Sequence, residues 1–158
     1  MGLFSNKPSQ NSQEVRQMME PFLEMVKQIE STASGIDQSS NGWIEKTQEV
    51  VSLIYVFTAS TTSEAKKLIG LVAEGKISTA AHHAAMQTFN FLADQTDERM
   101  ALITQALIDS GMSYELGIDF FKNSWKRAKE ISPMAMAELE KGMGGSTKWS
   151  WINKTSWV

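Results

Sequence analysis

The chain has 158 residues, with 15 Lys and Arg against 18 Asp and Glu, two His, no Cys and 42% hydrophobic residues. That length suits one domain with a real core, and a charged fraction of 21% with net charge -3 argues against a disordered chain. Without cysteine there is no disulfide scaffold, no thiolate metal site and no cysteine nucleophile.

Residues 1–13 are polar, rich in Ser, Asn and Gln, and read as an extended N-terminal arm. They carry no apolar stretch of a secretory signal, and Gly2 lacks the Ser or Thr at position 6 that myristoylation wants, since Asn6 stands there. A soluble cytoplasmic protein is the expectation.

A helical bundle domain is predicted over 14–142. Val15, Met19, Phe22, Val26 and Ile29 form a stripe at helical spacing, and Pro21 either kinks that helix or marks its start. Residues 31–42 have the composition of a linker. Trp43, Thr47, Val50, Val51, Ile54 and Thr58 give a second stripe. The run Val50–Phe57 would also suit a buried strand, but the stripe continues the helical period and no partner hairpin is in sight. Thr61 with Glu64 resembles a capping box opening a short third helix, with Ala65, Leu68, Ile69 and Val72 on one face and Gly75 ending it.

Residues 78–110 hold neither Gly nor Pro, and Ala81, Ala85, Phe89, Leu92, Thr96, Ile103 and Leu107 keep the helical period. Residues 94–98 are the one place where this helix could break and restart. Gly111 stops it, Ser113 caps a helix with Tyr114, Ile118, Phe121, Trp125 and Ala128 on one face, and Pro133 opens a last short helix closed by Gly142. The fold class is therefore all-α, with five or six helices built round long antiparallel ones.

Residues that could do chemistry are few. His82 and His83 are adjacent, project about 100° apart on a helix and have no carboxylate three or four positions away, so the Glu-x-x-His ligand pattern of di-iron bundles is missing. One of them is expected to pack and the other to be solvated. Asp94, Asp97 and Glu98 could hold a hard cation, although a solvated helix face explains them more simply, and the same holds for Glu45 with Glu49. Ser63–Lys66 matches S-x-x-K without its companion motifs, and Gly142–Lys148 lacks the order of a phosphate loop. No catalytic residue, metal ligand or cofactor site is assigned.

Charge is uneven along the chain. Residues 1–121 carry 8 basic and 15 acidic residues, net -7, whereas 122–158 carry 7 basic and 3 acidic, net +4. Lys122, Lys126, Arg127 and Lys129 cluster near the end of a helix. A nucleic-acid partner is disfavoured by the acidic pI of 5.4. Opposite charge at the two ends fits head-to-tail self-association at least as well.

The segment 143–158 reads as an extended, Trp-rich C-terminal tail. Trp149, Trp151 and Trp157, three of the five tryptophans, all fall at odd positions and so lie on one face of an extended strand, with Ile152 on the other. A strand with no partner strand needs pairing, and exposed indoles need cover. Trp149, Trp151, Ile152, Trp157 and Val158 are therefore the candidate partner-binding residues, docking either on the chain's own bundle or on a neighbour. The resulting expectation is a non-enzymatic structural or adaptor subunit that forms a homo-oligomer or docks a protein partner. A helical coat lying on a membrane surface and a small helical enzyme or metal protein are the alternatives. Insertion across a membrane is not expected, because the most apolar uncharged run, Val50–Ser63, is too short and ends in Ser and Thr.

Overall fold

Among the described residues the chain forms five helices: α1 (Gly2–Ser34), α2 (Trp43–Ala73), α3 (Thr79–Asp109), α4 (Tyr114–Ile131) and α5 (Pro133–Met143). This is a computed structural model that describes the backbone of residues 2–143 and the side chains of residues 13–143. No strand occurs among the described residues. The expected arm over 1–13 falls almost wholly on residues whose side chains lie outside that range. The expected tail, with Trp149, Trp151, Ile152, Trp157 and Val158, lies outside the described residues.

α2 packs against each of the other four helices. Its sequence accounts for that position. From Val50 to Phe57 every residue except Leu53 is buried, so the segment is apolar all round and belongs at the centre of a bundle rather than in a sheet. Ser52 is tolerated there because its hydroxyl donates to the Gln48 carbonyl at 2.8 Å, one turn back.

The short third helix predicted from Thr61 does not exist as a separate element, because α2 runs unbroken to Ala73. Thr58 donates to the Ile54 carbonyl at 3.0 Å, Thr61 to that of Phe57 at 2.9 Å and Thr62 to that of Thr58 at 2.7 Å. These hydroxyls turn back onto the preceding turn of one continuous helix. They do not reach forward to cap a new one, and Thr61–Glu64 is not a capping box. Of the face predicted for that helix, Leu68 is fully buried while Ile69 is 60% exposed.

The end of α2 is as the sequence predicts. Gly75 has φ +71°, its amide donates to Val72, and the Lys76 amide donates to Leu71 at 2.9 Å. That six-to-one, five-to-two pairing is a Schellman stop, which needs a left-handed residue. Gly111, at φ +87°, ends α3 in the same way.

α3 is a single helix of 31 residues, roughly 46 Å long, with no break at residues 94–98. The Ser78 hydroxyl accepts from the Ala81 amide at 3.0 Å and caps its start. Its buried residues are those the period selected, from Ala81 to Leu107. α1 likewise passes through Pro21 without interruption and buries Met19, Phe22, Val26 and Ile29.

Two flanks form around α2. On one, α1 and α3 run in the same direction, antiparallel to α2: Phe22 meets Phe89 edge to face at 5.2 Å, and farther along Glu30 pairs with Arg99. On the other, α4 packs across α2, with Tyr55 against Trp125 at 4.9 Å and Glu49 paired with Arg127. The buried residues Ser52 and Ala59 of α2 and Gly117, Ser124 and Ala128 of α4 are small, which permits close approach of these two helices. α5 then packs on both and buries Met136 completely.

Candidate interaction surface

The polar clusters singled out in the sequence are not brought together into a reactive centre. His82 is half-buried, and its Nε2 is buried without a hydrogen-bond partner among the described residues, whereas His83 next to it is exposed. Asp94, Asp97 and Glu98 stand exposed along uninterrupted α3. Partial burial, with the Asp94 charge added, raises the pKa of Asp97. No group of three or more His, Asp or Glu among the described residues is placed to hold a metal ion.

The basic cluster of α4 is partly consumed by the fold. Arg127 bonds both Glu49, at 3.0 Å, and Glu130, at 3.2 Å, which raises its pKa further. Lys129 meets Glu140 of α5 at 2.7 Å, and the same carboxylate accepts the Trp125 indole N–H at 2.6 Å. These contacts fasten α4 to α2 and to α5. All four cations stay exposed, and Lys122 and Lys126 take no part in these contacts.

The opposite flank exposes large apolar side chains too, as the α4 flank does at Leu116 and Met134. Phe91 and Leu102 of α3 are 63% and 60% exposed. They are eleven residues apart, close to three full turns, so they share one face of the helix. Glu98 and Asp109 lie on that face between and beyond them, and Gln105 is tied to Asp109 at 2.8 Å. α3 as a whole has four acidic residues and one arginine.

Beside Leu102 a cleft of about 120 Å³ opens between the end of α1, the start of α2 and α3, lined by Ala33, Trp43, Thr47, Arg99, Leu102 and Ile103 among others. Arg99 forms its polar wall. Its guanidinium donates to both oxygens of Glu30, from Nη2 at 2.5 Å and Nε at 3.3 Å, and this pairing raises its pKa. Ligand pockets for small molecules run to roughly 300 Å³ or more, while a cavity of roughly 150 Å³ takes a benzene ring. The cleft is thus the size of one large side chain, not of a metabolite.

The reading of the sequence did not single out Phe91, Leu102, Arg99 or Glu30. A signal was available: Phe91 and Leu102 are large apolar residues that fall off the core period of α3 yet match each other in phase. Arg99 and Glu30 are 69 positions apart, and nothing local joins them. The candidate residues Trp149, Trp151, Ile152, Trp157 and Val158 lie outside the described residues. Compared with known proteins, the chain matches no family model, no curated protein and no solved structure.

Proposed function

We propose that the protein is a non-enzymatic helical subunit that self-associates, with its bundle as the body and its Trp-rich C-terminal segment as the tie between copies. The observation that carries this reading is the unfinished α3 flank: two large apolar side chains left largely exposed on one face, beside a cleft of side-chain size. Isolated exposed apolar residues are ordinary, but two in phase at the mouth of a cleft mark a contact surface. The sequence supplies the complementary part in Trp149, Trp151 and Trp157, since indoles are favoured anchors of interfaces. No helix among the described residues is long and apolar enough to cross a membrane, which agrees with a body that assembles in water, with the cytoplasm as the proposed compartment.

The test is the molar mass by light scattering after gel filtration, for the full chain and for a chain ending at Gly145. The proposal expects the full chain to exceed 17.6 kDa increasingly with concentration and the shortened chain to stay at monomer mass. A full chain that is monomeric at every concentration defeats it.

A further inference from the structure

We propose that α3 pairs with α3 of a second copy, running antiparallel to it about a two-fold axis that passes between Thr96 and Asp97. This inference rests on the self-association proposed above and names a surface for it within the described residues.

α3 carries two seams. One is the core period, from Ala81 to Leu107. The other faces outward. Thr88, Phe91, Gln95, Glu98, Leu102 and Gln105 follow one another at alternating steps of three and four, the spacing with which one helix meets another, and all are exposed except half-buried Thr88. Read in either direction, this outer seam has the same order of chemistry: polar, apolar, polar, polar, apolar, polar. Turned end for end, it lays Phe91 on Leu102, Gln95 on Glu98 and Thr88 on Gln105 of the second copy. A two-fold interface demands such a surface, complementary to itself when inverted. Antiparallel pairing also offers the Glu98 carboxylate the Gln95 amide as a donor, where parallel pairing would set Glu98 directly against Glu98.

The cleft supplies the second observation. It opens beside Leu102 and holds about 120 Å³, the room of one ring. In this register the side chain that arrives at Leu102 is Phe91 of the second copy, whose ring has that size. Symmetry makes the exchange mutual, so each copy inserts one phenyl ring and receives one. Phe91 and Leu102 of both copies, largely exposed in the single chain, are covered together.

The seam is a weak one. Four apolar side chains do not outweigh the freedom lost on association. The two Glu98 carboxylates also stand near the axis, offset by three residues or about 4.5 Å of helix rise, and repel each other. The seam therefore orients copies that the C-terminal segment ties, and a chain ending at Gly145 stays monomeric.

Cysteine pairing in the full chain tests the register, since the sequence holds no Cys of its own. Thr88→Cys mixed with Gln105→Cys is expected to form a disulfide between chains under mild oxidation at least tenfold faster than either variant alone, because like positions of this antiparallel pair lie about 25 Å apart. A single variant that joins to itself as fast as the mixture overturns the antiparallel register. Light scattering of the unaltered chain and of exposed-site variants completes the test. Association is expected to weaken at least tenfold in Leu102→Glu and, independently, in Phe91→Ser, and to tighten severalfold in Glu98→Gln, which removes the like charges at the axis. Weakening by Glu98→Gln means that a basic segment covers this face and overturns the pairing. If the chain associates but no cysteine pair joins, α3 is not the contact, and this inference falls while self-association stands. An unaltered chain that never associates overturns the function proposed above as well.

Discussion

The two flanks of α2 answer the same problem differently. On the α4 side, small residues let the helices close up, Trp125 and Lys129 share the Glu140 carboxylate, and Met136 of α5 fills the remaining space. On the α1 and α3 side, two long parallel helices meet through Phe22 with Phe89 and through Glu30 with Arg99, and the outer edge keeps Phe91, Leu102 and a cleft open. The α4 side closes its contact with α2 within the chain, although Leu116 and Met134 stay exposed on its outer surface. The other holds apolar surface that gains from being covered, which is where association has a driving force.

Truncating a buried ring should separate the flanks most sharply. Phe121→Ala removes a side chain with zero exposure in the α2–α4 contact, and should cost about 3–5 kcal/mol of unfolding free energy in denaturant titration. Leu102→Ala, of similar chemistry on the open flank, should change the stability of the monomer by less than about 0.5 kcal/mol. Equal losses would mean that the α3 face already has a partner within its own chain.

The polar closure of the α4 flank ranks next. Glu140→Ala leaves the Trp125 N–H and the Lys129 ammonium without that carboxylate, and should cost about 1–2 kcal/mol in the same titration. At Gly70 the expected sign is reversed. It lies in the exposed interior of α2 with nothing within 4 Å of a Cβ, so Gly70→Ala should stabilise by about 0.5–1 kcal/mol.

The smallest effect depends on pH. Burial and Asp94 raise the pKa of Asp97, so its ionised form is less favoured in the folded chain than in the unfolded one. Stability from this group is full below its ordinary value of 3.8 and is lost as pH rises through the higher folded value. Asp97→Asn should therefore raise the melting temperature slightly at neutral pH. The gain should vanish under acidic conditions, where the carboxyl is protonated in both states.

The sequence made most of the bundle legible where a helix is strongly two-faced. In α3 the buried side chains are the ones the 3.6-residue period selects, because nothing in Ala81–Leu107 competes with that pattern. α2 was legible in type but not in extent. A threonine at position 61 is consistent with either a cap or a backward bond to the preceding turn, and the packing of α2 against four helices favours the unbroken element. The cleft was not legible, since Ala33, Trp43 and Arg99 come from three helices and meet only once the bundle has formed. Pairing Glu30 with Arg99 depends on α1 and α3 running side by side, which local spacing does not specify.

Fluorine NMR of the full chain with 5-fluorotryptophan at its five tryptophans, followed through a dilution series, tests the assembly account most directly. The account predicts that the resonances of Trp149, Trp151 and Trp157 move on dilution together with that of Trp43 in the cleft, while that of Trp125, closed in the α4 flank, stays fixed. Five resonances unchanged from the highest concentration to the lowest would contradict it.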